Sequence, residues 1–197
     1  MSKLTIDDIT DLRAYERERD AFRRNVIALK RRRRVGVGDV VTLLFENAET
    51  IRFQIQEMAR VEKLITDEAI ATELRIYNPL VPEPGQLCAT LFVELTSKEA
   101  LMQWLPRLVG IERSMVLRLS DGELIHCVVD EDHEKQLTRD EVTASVHYVR
   151  WELTADQVEA FAAGPVTLLA DHGAYAQAVQ LSAETHAELL GDLRNGG

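Results

Sequence analysis

The stretch "SMVLRLSDGELIHCVV", residues 114–129, narrows the fold more than any other. Two alternating apolar runs flank Asp121 and Gly122, residue types that accept positive backbone φ angles and suit a tight type I′ turn. Such a turn commits its flanks to adjacent antiparallel strands. A two-residue turn predicts Leu119 opposite Leu124, Leu117 opposite His126 and Met115 opposite Val128 on one face, with Val116 opposite Cys127 on the other. His126 is therefore expected on an apolar face, where a hydrogen-bonded core histidine is the plainer reading and a functional one the alternative.

Other segments repeat the pattern. "QLCATLFVEL" sets Leu87, Ala89, Leu91, Val93 and Leu95 on one side, and "SVHYVRWEL" does the same for His147, Val149, Trp151 and Leu153. A strand is predicted over 39–46, and "VTLLADHGAYAQAVQLS" reads as a hairpin turning at Asp171 to Gly173. Helices are predicted over 5–13 with Thr5 as cap, from about Tyr15 into the arginines with Phe22, Val26 and Leu29 as a stripe, and over 67–76. The strongest amphipathic pattern is "TIRFQIQEMARVEKLI", with Ile51, Ile55, Met58, Val61 and Ile65 on one face and Thr50 in position to cap. Thr154 and Gln157 form a capping box for a helix ending at Gly164 and Pro165, and Ser182 caps a closing helix. Short turns between strands imply an α+β fold, a mainly antiparallel sheet with the N-terminal helices packed against one face. A single domain over 1–197 is expected, helical over about 1–80 and sheet-rich over about 81–197, because one core usually spans about 100 to 200 residues.

The 46% hydrophobic and 28% charged shares belong to a globular chain. No apolar run approaches the roughly 20 residues of a membrane helix, and "MSKLTIDDITDL" lacks a signal-peptide core, so a cytoplasmic protein without membrane contact is expected. Net charge is −10, yet residues 1–60 carry 13 Lys/Arg against 10 Asp/Glu, and Arg31, Arg32, Arg33 and Arg34 stand side by side. At about 100° per residue a helix cannot point four consecutive side chains to one face. At least one must turn inward and find an acid, with Glu46, Glu57 and Glu62 nearby in sequence. An anion or partner-docking site made with Arg60 is the alternative. Nucleic-acid binding is disfavoured, since no aromatics interleave the run and the remaining chain is acidic.

Cys88 and Cys127 lie far apart without CxxC or Cys/His spacing, which argues against a disulfide framework, and two thiols cannot ligate an ordinary iron–sulfur cluster. The chain is read as having no cofactor of its own. Glu123 and His126 form an E-x-x-H string, but a separation of three on a strand splits them between faces. His126 and His147 would form a metal or acid/base site only if their strands were neighbours. "DEDHE", residues 130–134, reads as a solvated turn, and no phosphate-cradling glycine loop or G-x-S-x-G elbow is present.

"RRRRVGVGDVVTLLFENAETIRFQIQEMARVE", "YNPLVPEPGQLCATLFVEL", "TASVHYVRWELT" and "VTLLADHGAYAQAVQLS" resemble the bacterial family called domain of unknown function 3501, with "FQIQEM" and "YNPL" the most specific stretches. The resemblance implies genes encoded beside a rubrerythrin-like protein and an iron–sulfur oxidoreductase, and it carries no catalytic residue. The leading expectation is thus an accessory protein that binds a redox partner of that type through Arg31 to Arg34 and Arg60. Its rival is an enzyme or a metal- or small-molecule-binding protein whose site involves Gln54, Gln56, Glu57, His126 and His147. A homo-oligomer is compatible with either.

Overall fold

The computed structural model describes residues 3–129 and 142–197, so the "DEDHE" segment lies outside the described residues. After a 3₁₀ turn at Ile6–Asp8, the chain runs through α1 (Leu12–Arg33), β1 (Arg34–Val37), β2 (Val41–Phe45), α2 (Ala48–Glu62), α3 (Asp67–Tyr77) and β3 (Gln86–Val93). There follow α4 (Lys98–Trp104), β4 (Met115–Arg118), β5 (Leu124–His126), β6 (Val128–Val129), β7 (Val146–Glu152), α5 (Ala155–Ala163), β8 (Thr167–His172), β9 (Tyr175–Gln180) and α6 (Ala183–Asn195). The class is mixed α+β. The strands form two antiparallel sheets rather than one, a five-stranded sheet in the order β1-β2-β3-β7-β6 and a four-stranded sheet in the order β5-β4-β8-β9.

Alternation along the strands builds a core between the sheets. Leu43, Phe45, Leu87, Ala89, Leu91, Val149 and Trp151 of the larger sheet meet Met115, Leu117, Leu168 and Ala170 of the smaller one in a single apolar cluster. Removing such side chains from water stabilises by about 1.5 to 3 kcal/mol each. Val158 and Phe161 of α5 and Leu189 and Leu193 of α6 extend the cluster. A second, smaller cluster gathers Ala48, Ile51 and Ile55 of α2 with Leu74 of α3 and Val81. Val61 and Ile65, expected on the same face, are 69% and 81% exposed: the buried row of α2 runs through Ile51, Ile55 and Ala59 and leaves Val61 outside it, and Ile65 lies beyond the helix end at Glu62.

Capping follows the sequence closely. Thr154 with Gln157, and Ser182, cap as expected, whereas Thr5 opens only the 3₁₀ turn Ile6–Asp8 in place of a helix over 5–13, and Asp11 caps α1. For α2 the cap is Asn47, with Thr50 as its reciprocal partner three residues on. One glycine is obligatory. Gly38 has φ +70 in the β1–β2 turn, and a Cβ there would collide with the Tyr175 hydroxyl. That hydroxyl donates to the Val37 carbonyl at 2.5 Å and accepts from the Val40 amide at 3.0 Å, tying the turn to β9.

The central hairpin departs from the two-residue reading. Leu119 N–H donates to the Glu123 carbonyl, so Ser120, Asp121 and Gly122 form a three-residue loop with Gly122 at φ +93. The extra residue moves the register by one. Val116 faces His126, Leu117 faces Ile125, and Arg118 faces Leu124. Since side chains alternate, Ile125 enters the core and His126 leaves it.

Candidate functional site

The arginine run resolves into separate ion pairs. Arg33 is 1% exposed and closes the last turn of α1; its guanidinium pairs with Asp192 and reaches Glu188 at 3.4 Å. It also donates to the carbonyls of Phe45 (2.9 Å) and Glu46 (3.1 Å). Arg32 binds Glu188 at 2.7 Å, Arg34 binds Glu94, and Arg60 binds Glu16 at 2.5 Å. Arg31 is exposed. The inward arginine was thus anticipated but its partners were not. They lie on α6, over 150 residues away in sequence, whereas nearby Glu46 lends only its backbone carbonyl.

The polar residues of α2 mostly brace the chain. Gln56, 2% exposed, clamps Thr10: its Oε1 accepts the Thr10 amide at 3.0 Å and its Nε2 donates to the Thr10 carbonyl at 2.7 Å. Glu57 accepts from Arg19 at 2.8 Å on each oxygen and from the Tyr15 hydroxyl at 2.6 Å. The Arg19 bond, helped by Tyr15 and against the cost of burial, holds the Glu57 carboxyl down at about 2. Burial, then the bond to Glu57, pushes the Tyr15 phenol well up.

Gln54 has a different setting. It lines a cleft of about 260 Å³ together with Lys30 of α1, Thr50 and Ile51 of α2, Tyr77 and Leu80, Leu44, Thr90 and Phe92 of the sheet, and Val146 and Tyr148 of β7. Leu44, Thr90 and Tyr148 stand in one cross-strand row on the side of the sheet away from the shared core. Beside that row sits Glu46, 6% exposed. Its Oε1 accepts from the Thr90 hydroxyl at 2.6 Å and its Oε2 from the Thr50 hydroxyl at 2.5 Å. Glu46 immediately precedes the N-cap of α2, the positive end of that helix dipole. Among the described residues no lysine, arginine or histidine forms an ion pair with its carboxylate. Burial, then the charges of Tyr77 and Glu46, push the Tyr148 phenol up, so it meets the cleft as a neutral hydroxyl. A concave space with apolar walls and a few converging polar groups is the form of a small-molecule site.

The two histidines do not share a site. His126 is exposed on the smaller sheet and lines a shallow groove with Val116, Leu169 and Asp171. His147 is 2% exposed on the larger sheet, with Nε2 2.8 Å from the Thr143 hydroxyl and 2.9 Å from the Ala144 carbonyl. Its Nδ1 lies 4.0 Å from Oε2 of Glu112, itself 2% exposed. Glu123 accepts from Gln157 instead of joining His126. Among the described residues no three His, Cys, Asp or Glu side chains are grouped to hold a metal ion. Burial raises the Cys88 thiol to about 12 and the Cys127 thiol to about 11, so neither is a thiolate nucleophile at neutral pH.

Residues 3–193 match the family described as "Protein of unknown function (DUF3501)". The chain belongs to that family. A solved relative of this DUF3501 chain is described as a novel protein of unknown function from Burkholderia pseudomallei K96243, with a crystal structure at 1.90 Å. It is 39% identical, the match covers 98% of this chain and 100% of that one, and the TM-score is 0.89. No curated protein matches the DUF3501 chain.

Of the candidates read from the DUF3501 sequence, Gln54 alone lines the cleft, while Gln56, Glu57, Arg32, Arg33, Arg34 and Arg60 serve bonds within the chain. Sequence reading missed Thr90, Tyr77, Tyr148 and the carboxylate of Glu46. The available signal was Glu46 itself, an acid at the end of an apolar strand and directly before an Asn cap.

Proposed function

We propose that this protein binds a small molecule in the cleft beside Glu46, and that the N-terminal helices act as the roof of that cleft over one face of the five-stranded sheet. The observation that carries this reading is Glu46, a carboxylate buried against two threonine hydroxyls and open to a space of about 260 Å³. A carboxylate is costly to bury, and the cost is commonly tolerated where the group has a task beyond stability. The cleft is slightly below the roughly 300 to 1,000 Å³ typical of drug-sized ligands, so its occupant is a small metabolite. Gln54, Tyr77 and Tyr148 supply further polar contacts along its walls.

The accessory role beside an iron–sulfur oxidoreductase or rubrerythrin-like protein is the cellular setting of the same proposal. It rests on the family's genomic association, with Arg31 and the Glu94-paired Arg34 as the exposed members of the arginine run that a partner would reach. The cleft is tested by native mass spectrometry of gently purified, untagged chain. Wild-type protein is expected to carry extra mass that a Leu80→Trp variant, whose larger side chain replaces a lining residue of the cleft, has lost. Identical apo masses for both folded proteins, together with no uptake of added metabolite pools, would reject the cleft as a binding site.

A further inference from the structure

We infer that the ligand of the Glu46 cleft is a small organic amine, bound through its ammonium group. The inference rests on the cleft being a ligand site and adds the ligand's chemistry. Each carboxylate offers about four lone-pair positions. Thr90 and Thr50 each occupy one on Glu46, leaving acceptor capacity on both oxygens. No cation among the described residues is bonded to it. The guanidinium of Arg33 is directed to the Glu46 backbone carbonyl and to Asp192.

Among the described residues Lys30 is the one basic side chain lining the cleft, and its ammonium lies over the Phe53 ring, 5.4 Å from the centroid. The cleft therefore lacks, among the described residues, a positive group committed to its buried acid. An incoming ammonium supplies the missing charge and three donors, while Tyr77 and Tyr148 give it aromatic walls, which favour cations through the ring quadrupole. An anionic ligand would meet Glu46 in a poorly solvated space and be repelled.

The test uses three probes with the same phenylethyl body on the full chain, followed by amide chemical shifts: 2-phenylethylamine, neutral 2-phenylethanol and anionic 3-phenylpropionate. The amine is expected to shift Glu46, Thr50, Thr90 and Tyr148 and to bind about tenfold or more tighter than the alcohol, as a charge-assisted bond on a buried acid should give. Glu46→Gln is expected to bring the amine down to the alcohol's affinity. The wild-type comparison of amine and alcohol stands without that variant. Equal binding of the two in the cleft would overturn the amine inference and leave the small-molecule reading in place. Tighter binding of the acid would overturn it in favour of Lys30. No cleft shifts with any probe at about 10 mM, enough to detect a millimolar Kd, would overturn the inference and the cleft reading together.

Discussion

Asp192 and Glu46 are both buried carboxylates near Arg33, and they are satisfied in opposite ways. Asp192 receives the guanidinium itself, with Glu188 on the same cation. Among the described residues the Glu46 carboxylate receives only hydroxyls, and Arg33 touches its backbone carbonyl instead. The first arrangement is complete within the chain and locks α6 to the end of α1. The second leaves a negative group beside an open cleft. The contrast separates burial that holds the fold from burial that, in the function proposed, equips a site.

Substitutions can break this contrast. Arg33→Met should be the most damaging, at about 3 to 5 kcal/mol in urea unfolding, since it strands Asp192 as an uncompensated buried charge. Adding Asp192→Leu should recover much of that loss, because a charge-free pair needs no partner. If Arg33→Met alone cost under about 1 kcal/mol, Arg33 would not be the structural lock described here. Thr90→Val should cost less, about 1 to 3 kcal/mol, by removing one donor from a buried acid. Glu46→Gln should lie within about 1 kcal/mol of wild type, as a neutral amide can keep a threonine bond without a countercharge. Should it instead match Arg33→Met in severity, Glu46 would belong with Asp192 as a structural group.

The smallest effect concerns a third acid, part-exposed and paired. Glu57 titrates lower in the folded chain than its ordinary value of 4.5, at about 2. Its contribution is therefore fully present above pH 4.5 and is lost as pH falls toward 2, where the folded state too takes up the proton. Stability measured across that window should fall less steeply in Glu57→Gln than in wild type. Equal slopes would mean that the Arg19 and Tyr15 bonds do not distinguish the folded from the unfolded acid.

The elements were largely legible because they rest on local rules. Alternation marked β3 and β7, and the capping residues Thr154 and Ser182 marked helix starts. β1 was not read as a strand, since "RVGV" follows the arginines and is short and glycine-containing. The candidate site was hardly legible. Gln54 was named, but Thr90, Tyr77 and Tyr148 come from segments distant in sequence, and each alone looks like an ordinary strand or loop residue.

The sequence by itself determined the α+β class, most strand and helix positions, and the need for one of four consecutive arginines to point inward, because periodicity and capping are properties of neighbours along the chain. Only the tertiary structure decided that Arg33 is that arginine and that α6 supplies its acids. It also decided that one extra loop residue turns His126 out of the core, and that strands and helices far apart in sequence enclose Glu46 with no cation from the described residues on its carboxylate. These outcomes depend on register and on which distant surfaces meet. Both are fixed by the packing of a shared core, and no single stretch of residues encodes them.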